Sequence, residues 1–337
     1  PLQRRDCRQT EKRRQLNAAS GTRSLGINPL KEILVAVKQR GFFLYYKYVN
    51  PLVLYFGQQN QPAEGGRNMK IVKIRGGLGN QMFQYAFGKA LERQDKNVYF
   101  DLGWFGRKHK DTSARNFDLN CFNVRLKPAY FWQKLFGRTV KEKQANIYEP
   151  ALLEQPGRVI FSGYFQSEDY FKKLRPELLL DFSLKAPLND NNQKILAEIR
   201  RTDSVSLHVR RGDYVNLAHI YGVCGEKYYN RAVEYIKKQV ADPHFFLFSD
   251  DVAWVRENIK IDAPCTIVDV NDGKTACCDM ELMRNCRHNI IANSSFSWWG
   301  AWLNENKDKI VICPEQWFAD GRQTDIICKD WIKISVF

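Results

Sequence analysis

Short apolar runs alternate with helical patterns along the chain from residue 69 onward. The apolar runs have the length of β-strands and lie at 71–74, 98–101, 158–161, 205–209, 244–248, 290–292 and 310–313. Within 226–240, apolar residues recur at helical spacing: Tyr229, Ala232, Val233, Ile236 and Val240. Strands that alternate with such helices predict an α/β fold with parallel sheets.

Two polar stretches divide the chain into three parts. QQNQPAEGGRN at 58–68 has the composition of a linker, and PLNDNNQ at 187–193 precedes a second strand–loop–helix series. We predict an amino-terminal extension over 1–68, outside the catalytic fold, and two Rossmann-like, doubly wound domains over 69–200 and 201–337. A ligand would lie in the cleft between the two domains. Because Met69 opens the first strand, one hypothesis is that translation starts there.

The net charge of +15 is unevenly distributed. Residues 1–68 contain 12 Lys and Arg but 4 Asp and Glu, which is typical of a solvated basic tail. This segment has no recognised nucleic-acid-binding motif, so we expect no nucleic-acid partner. Residues 41–57 are aromatic and apolar, but Lys47, Asn50 and Pro51 interrupt them as a membrane span. Residues 41–57 would then form either a peripheral membrane contact or a buried segment.

The nine cysteines form no C-x-x-C pair. An odd number of cysteines beside apolar residues indicates buried free thiols in a reducing compartment. Histidine and cysteine are not grouped at ligand spacing, so no zinc site is predicted.

A glycine-rich turn follows the first strand. Gly77 and Gly79 allow close approach of the backbone, Asn80 is suited to cap the next helix, and a helix start can bind an anion. A nicotinamide oxidoreductase would need Gly or Ala where Met82 stands, so its glycine loop would be degenerate. A purely structural turn is the alternative.

HVRRGDY at 208–214 follows a second apolar strand. His208 and Arg210 lie on one side of the strand and Arg211 on the other, beyond the carboxyl end where α/β sheets bind ligands. Arginine offers donors that match phosphate oxygens. A structural ion pair between arginine and aspartate is the alternative.

Two further strand ends carry polar side chains. In FSDD at 248–251, Ser249 or Asp250 is expected to cap a helix that begins near Val252. In NSSFSWWGAWLN at 293–304, the serines offer hydrogen-bond donors, whereas the tryptophans at 298, 299 and 302 have the spacing of core residues. A non-catalytic carbohydrate-binding protein would use those tryptophans for stacking instead. The chain has no Asp-x-Asp, so no metal motif is predicted.

Taken together and in order, these stretches resemble glycosyltransferase family 11, the α-1,2-fucosyltransferases, especially its bacterial branch. The matching text is GGLGNQMFQYA (76–86), HVRRGDY (208–214), YY (228–229), FSDD (248–251), DMELMRNCRHNIIANSSFSWWGAWLN (279–304) and WI (331–332). The resemblance implies a GT-B-type fold in which 69–200 faces the acceptor and 201–337 binds the donor. It implies inverting transfer of L-fucose from GDP-β-L-fucose to the 2-hydroxyl of a terminal galactose, with no metal or other cofactor. A galactose-ended oligosaccharide or glycolipid is the implied acceptor.

The resemblance also implies roles for individual residues. Arg210 matches the donor-binding arginine of the family, Asn80 a second contact to the donor phosphates, and Asp213 is a candidate general base that shares the loop with Arg210. The alternative for Asp213 is that it only orients the neighbouring arginines. Further candidates for nucleotide contacts are Gly77, Gly79, His208, Arg211, Asp250, Ser294, Ser295 and Ser297. Residues 41–57 are interrupted as a membrane span, and the number of cysteines is odd. Together with these two features, the resemblance favours a bacterial enzyme at the cytoplasmic face of the membrane.

Overall fold

The computed structural model describes residues 68–95, 97–105, 115–212, 222 and 224–336. These residues belong to one compact unit that extends from Glu64 to Phe337. The basic tail, the aromatic stretch at 41–57 and the linker at 58–67 lie outside the described residues. The predicted boundary near residue 200 stays a prediction.

The first sheet has four parallel strands. They are β1 (Met69–Lys73), β2 (Val98–Asp101), β3 (Arg138–Lys141) and β4 (Arg158–Ser162), in the order β2-β1-β4-β3. Helix α1 (Leu78–Glu92) follows β1, and the short helix α2 (Arg175–Asp181) follows β4. Because the strand order reverses between β1 and β4, their carboxyl ends form a switch point, where open α/β sheets bind ligands.

The second sheet has six parallel strands. They are β5 (Asp203–Val209), β6 (Pro243–Ser249), β7 (Cys265–Val268), β8 (His288–Ile290), β9 (Val311–Pro314) and β10 (Ile332–Ile334), in the order β10-β9-β8-β5-β6-β7. The helices around it are α3 (Asp190–Arg201), α4 (Glu226–Gln239), α5 (Val252–Asn258), α6 (Ala276–Asn285) and α7 (Ser295–Leu303). This is the strand order of dinucleotide-binding sheets, with its switch point between β5 and β8. The predicted GT-B-type α/β fold is confirmed.

The seven strands expected from the apolar runs are all present, and three more were not expected. Strand β3 is largely exposed, and β10 has only three residues, so neither carries a sustained apolar pattern. Strand β7 reads CTIV directly after a proline. Strand β8 begins and ends two residues before the predicted 290–292.

The core between α1 and α7 is aromatic. Trp298 and Trp299 are fully buried and Trp302 is nearly so, which confirms the prediction that these side chains belong to the core. The Phe83 ring of α1 lies 4.5 Å from the ring of Trp298 and 5.1 Å from that of Trp299. Helices from the two sheets therefore share one hydrophobic core.

The cysteines of the described residues are free thiols, as expected. Five are buried, namely Cys224, Cys277, Cys286, Cys313 and Cys328, whereas Cys121 and Cys278 are half-buried and Cys265 is exposed. The thiols of Cys121 and Cys277 are neighbours, and a hydrogen bond between them lowers the pKa of Cys277. In the described part of the chain, no helix has the length and apolar character needed to cross a membrane.

Candidate active site

The predicted site residues cluster at the two switch points of the fold. Asn80 and the glycine turn follow β1, while Gln166 and its neighbours follow β4. His208 and Arg210 mark the carboxyl end of β5, and Ser294 follows β8. The structure thus places these motifs, which are far apart in sequence, at the two edges where parallel sheets bind ligands.

Helix α1 begins one turn earlier than its predicted cap. Gly77, not Asn80, is the N-cap residue, and no side chain caps the helix. Gly76 has φ +82°, a conformation that glycine adopts without strain. Asn80 lies in the first turn, where its side chain folds back over Gly76, so that a Cβ at Gly76 would lie 2.9 Å from Nδ2 of Asn80.

A chain of amide side chains supports Asn80. Gln166 donates from Nε2 to Oδ1 of Asn80 at 2.7 Å, and Asn146 donates from Nδ2 to Oε1 of Gln166. Asn146 and Phe165 both have positive φ values, 66° and 53°, which for non-glycine residues are uncommon and cluster at functional sites. With its oxygen occupied, Asn80 directs its amide nitrogen elsewhere, and no hydrogen bond joins that nitrogen to another described residue.

The amides of α1 that face the interior stabilise the turn. Gln81 donates from Nε2 to the carbonyl oxygens of Gly76 and Asn116, both at 2.9 Å. Gln84 accepts from the backbone N–H of Arg75 at 2.8 Å and donates to the carbonyl of Gly163 at 3.0 Å. Both glutamines are fully buried. Sequence reasoning assigned them no role, although polar residues three apart on an apolar helix face were a usable signal.

Gly79 brings the two switch points together. A Cβ at Gly79 would lie 2.5 Å from the carbonyl carbon of Ser295 and 2.6 Å from the backbone nitrogen of Phe296. The indole Nε1 of Trp299 donates to the carbonyl of Gly79 at 3.0 Å. The starts of α1 and α7 are therefore in direct backbone contact, which is possible because residue 79 has no side chain.

Charged side chains dominate the second switch point. Nη1 of Arg210 lies 3.0 Å from Oδ2 of Asp250, whose Oδ1 accepts the backbone N–H of Arg211 at 2.9 Å. Nε of Arg211 lies 3.4 Å from Oδ2 of Asp251, and its guanidinium lies 4.1 Å from the ring centroid of Trp254. Asp250 thus orients both arginines, which matches the ion-pair alternative and leaves their use in ligand binding a prediction.

The cap of α5 differs from the prediction. The helix begins at Val252 as expected, but Asp251 caps it by accepting the backbone N–H of Trp254 at 3.1 Å. Ser249 accepts the backbone N–H of Asp251 at 2.9 Å. Asp250 is free of the capping role because its carboxylate faces the β5 end, beside Gly212, where any Cβ would collide with it.

His208 is buried and neutral. Burial, and secondarily the charge of Arg210, lowers the pKa of its imidazole to about 3. Its Nδ1 has no hydrogen-bond partner among the described residues. Its ring lies 5.6 Å from the ring of Phe296 in the first turn of α7, so the end of β5 and the start of α7 are neighbours.

The three candidate serines have different surroundings. Ser294 caps α7 by accepting the backbone N–H of Phe296 at 3.3 Å, and Ser295 is half-buried in the first turn. Ser297 is fully buried and donates to the carbonyls of Ser294 and Ala292 at 3.3 and 3.5 Å. The geometry therefore favours Ser294 and Ser295 over Ser297 as ligand contacts.

Two further observations complete the site. Asp213, the candidate base, lies outside the described residues, so the structure does not test it.

Arg75 adds a cation at the first switch point, with its guanidinium 4.7 Å from the ring centroid of Tyr164. Among the described residues, no group of three or more His, Cys, Asp and Glu side chains has the arrangement of a metal site.

The sequence comparisons agree with this arrangement. The profile of Glycosyl transferase family 11 matches residues 35–335. The chain is 32% identical over 302 residues to the O-antigen biosynthesis glycosyltransferase WbnK of Escherichia coli, covering 77% of this chain and 99% of that protein. It is 35% identical over 289 residues to an α-1,2-colitosyltransferase of Escherichia coli, covering 78% and 98%. It is 28% identical over 283 residues to the galactoside 2-α-L-fucosyltransferase Sec1 of Mus musculus, covering 76% and 69%.

The family profile and these relatives identify the chain as a glycosyltransferase. The chain belongs to glycosyltransferase family 11.

Proposed function

We propose that the protein is an inverting glycosyltransferase that moves L-fucose from GDP-β-L-fucose to the 2-hydroxyl of a terminal galactose, forming an α-1,2 linkage. Family membership and the fucosyl- and colitosyltransferase relatives support the reaction class. The observation that supports the proposal is the contact of Gly79, which precedes Asn80, with Ser295 at the start of α7, where the Phe296 ring lies 5.6 Å from that of His208.

The charge of the site suits a nucleoside diphosphate leaving group. Negative charge grows on the β-phosphate as the bond to fucose breaks, and preorganised donors aimed there lower the barrier. Arg210, held by Asp250, would donate from its guanidinium, and Asn80 from its amide nitrogen. The starts of α1 and α7 add backbone N–H groups and the positive ends of helix dipoles. These groups belong to the chain itself, so the proposed reaction uses no metal.

The proposed general base is Asp213. The galactose 2-hydroxyl must lose its proton as it attacks, and a carboxylate beside the donor site is the ordinary acceptor. We expect Asp213→Asn to lower turnover while leaving donor binding intact, checked by calorimetric titration with GDP-fucose. If turnover is unchanged, the carboxylate of Asp213 is not the base and serves only to orient the arginines.

Transfer of colitose is a second candidate. The chain is 35% identical to an α-1,2-colitosyltransferase, which is a higher identity than the 28% to the galactoside fucosyltransferase named above. Colitose lacks the 3-hydroxyl of fucose, so the two donors differ by one polar group. A site that hydrogen-bonds a hydroxyl discriminates strongly against the analogue that lacks it. Comparing kcat/KM for the two GDP-linked sugars with the same acceptor decides between them.

The principal test is direct incubation with GDP-fucose and lactose. We expect release of GDP and a product one fucose heavier, with an α-1,2 linkage by NMR. A product formed with retained configuration would refute inversion. Absence of both transfer and donor hydrolysis, with GDP-fucose and with GDP-colitose, would refute the proposed function. Turnover that requires an added divalent cation and is abolished by EDTA would refute the metal-free reaction.

A further inference from the structure

One surface segment outside the site exposes large apolar side chains. Tyr130 is 58% exposed, Phe131 56%, Trp132 49%, Leu135 56% and Phe136 81%. Elsewhere in the described part of the chain, the exposed large apolar residues are Leu180 and Val270 alone. Scattered apolar residues need no explanation, but five within seven consecutive positions form a contiguous patch, which marks an interaction surface. We call residues 130–136 the aromatic patch.

The fold holds the aromatic patch in one conformation. Residues Phe131–Lys134 form a 3₁₀ turn, and buried Gln133 accepts the backbone N–H of Tyr130 at 2.7 Å. The preceding strand-like residues bond to β2 through Ala129 N–H to Phe100 O and Phe100 N–H to Lys127 O, both 2.8 Å. The rings of Tyr130 and Trp132 stack with centroids 4.7 Å apart. The patch is therefore preorganised, so a partner binds it without ordering a loose loop.

The surroundings of the aromatic patch are basic. The exposed cationic side chains on either side are Arg125, Lys127, Arg138, Lys141 and Lys143. The one carboxylate between 125 and 143 is Glu142, which is turned inward to accept the backbone N–H groups of Tyr164 and Phe165. Within the patch, Lys134 is neutralised by Asp101 at 2.9 Å. The Glu149 carboxylate also lies here and accepts the backbone N–H of Lys143 at 2.7 Å. The five exposed cations outnumber it, which leaves an apolar centre with a positive rim.

We propose that the aromatic patch is a docking surface for an anionic lipid bilayer. Tyr and Trp side chains favour the level of the lipid headgroups, apolar side chains such as Phe136 enter the acyl boundary, and Lys and Arg bind anionic headgroups. A second copy of this chain would bring the same positive rim and be repelled. Binding of a single-stranded nucleic acid, whose bases stack on exposed rings, without binding to vesicles would overturn the proposal. The inference does not depend on which sugar is transferred.

The test is co-sedimentation of the full chain with lipid vesicles. We expect binding to vesicles of phosphatidylcholine mixed with phosphatidylglycerol, weaker binding to phosphatidylcholine alone, and weakening by salt. The double variant Trp132→Ala/Phe136→Ala should lose binding about tenfold or more, because apolar burial supplies the insertion. Lys141→Glu/Lys143→Glu should lose the preference for the anionic vesicles. Leu180→Ala, at an exposed apolar position elsewhere, is the matched control and should bind as the parent does.

Several outcomes would overturn the proposal. Equal binding of the parent and of the Trp132→Ala/Phe136→Ala variant would place any membrane contact elsewhere in the chain. No binding by the parent would refute the proposal, and a change from oligomer to monomer in that variant on size-exclusion chromatography would assign the patch to a contact between copies of the chain. Phe136→Gln replaces the most exposed ring, so it keeps the test valid if the double variant fails to fold, as judged by its thermal unfolding midpoint.

Discussion

The two switch points hold their strand–helix turns in place with different side-chain chemistry. At the first, neutral amides close the turn: Gln81 and Gln84 satisfy backbone groups, and Gln166 orients Asn80. At the second, Asp250 and Asp251 hold Arg210 and Arg211 by charge. Buried amides fix a backbone shape, whereas half-exposed ion pairs position charge that a ligand can share. We therefore expect changes at Gln81 and Gln84 of the first point to affect mainly stability, and changes at Arg210 of the second mainly turnover.

The largest expected effect is on turnover. In the proposed reaction, Arg210→Ala removes a donor to the growing charge of the leaving group, and we expect kcat to fall about 10²–10³-fold. Arg210→Lys keeps the charge without the fork of donors and should recover only part of the rate. Steady-state kinetics of fucosyl transfer measures both. Arg256→Ala, which removes an exposed arginine paired with Asp269, is the control and should leave kcat unchanged. Equal losses at both positions would contradict the division proposed above.

The next largest effect is a difference in stability between alanine variants of two glycines in the same turn. Gly79→Ala forces a Cβ against the backbone of Ser295, and we expect the free energy of unfolding to fall by about 1–3 kcal/mol. Gly77→Ala meets nothing within 4 Å and has φ −76°, so it should cost less than about 1 kcal/mol as a change of N-cap residue. Urea unfolding measures both. Similar losses in the two variants would mean that the contact between α1 and α7 does not determine the position of the helix.

A third change removes one buried amide. Gln84→Leu leaves the backbone N–H of Arg75 and the carbonyl of Gly163 without their partner, which should cost about 1–3 kcal/mol of unfolding free energy. Gln94→Leu, in the exposed turn after α1, is the matched control and should be near neutral. The comparison is again made by urea unfolding. A neutral Gln84→Leu would show that the amides of the first switch point do not stabilise its shape.

The smallest effect is a pH dependence at the second switch point. Burial lowers the pKa of His208 to about 3 in the folded protein, against about 6.5 when unfolded. Between these two pKa values His208 is protonated in the unfolded state and neutral in the folded state. The free energy of unfolding therefore falls as pH falls from about 6.5 toward about 3. In His208→Asn this contribution is absent, so the unfolding midpoints at pH 7 and pH 5 should lie closer together than in the parent. The same pH dependence in both proteins would refute the burial of a neutral imidazole.

Sequence patterns predicted the elements that carry chemistry better than the contacts between them. Apolar strands followed by glycine, arginine or serine placed His208, Arg210 and Ser294 at strand ends, because the carboxyl edge of a parallel sheet is a general binding position. The support of Asn80 by Gln166 and Asn146 was not predictable in the same way. Those residues are 86 and 66 positions away, and only the tertiary fold brings their amides into reach.

The caps illustrate a second limit. Asn80, Ser249 and Asp250 were all suitable types for an N-cap, but the caps are Gly77 and Asp251. Residue type identifies a set of candidates, whereas the start of a helix is fixed by packing, to within a residue or two. At the first switch point the contact between Gly79 and Ser295 fixes that start, and at the second the pairing of Asp250 with Arg210 leaves Asp251 for the cap.

The contact of Gly79 with α7 has a consequence for protein engineering. A chimera that joins residues up to about 200 of this chain to the remainder of a relative would pair α1 with a foreign α7. Such a hybrid keeps each sheet intact, but its compatibility depends on the contacts between α1 and α7. These include a residue without a side chain at 79, an indole donor at 299 and the packing of Phe83 against Trp298. We therefore expect such hybrids to fold only between parents that share these contacts.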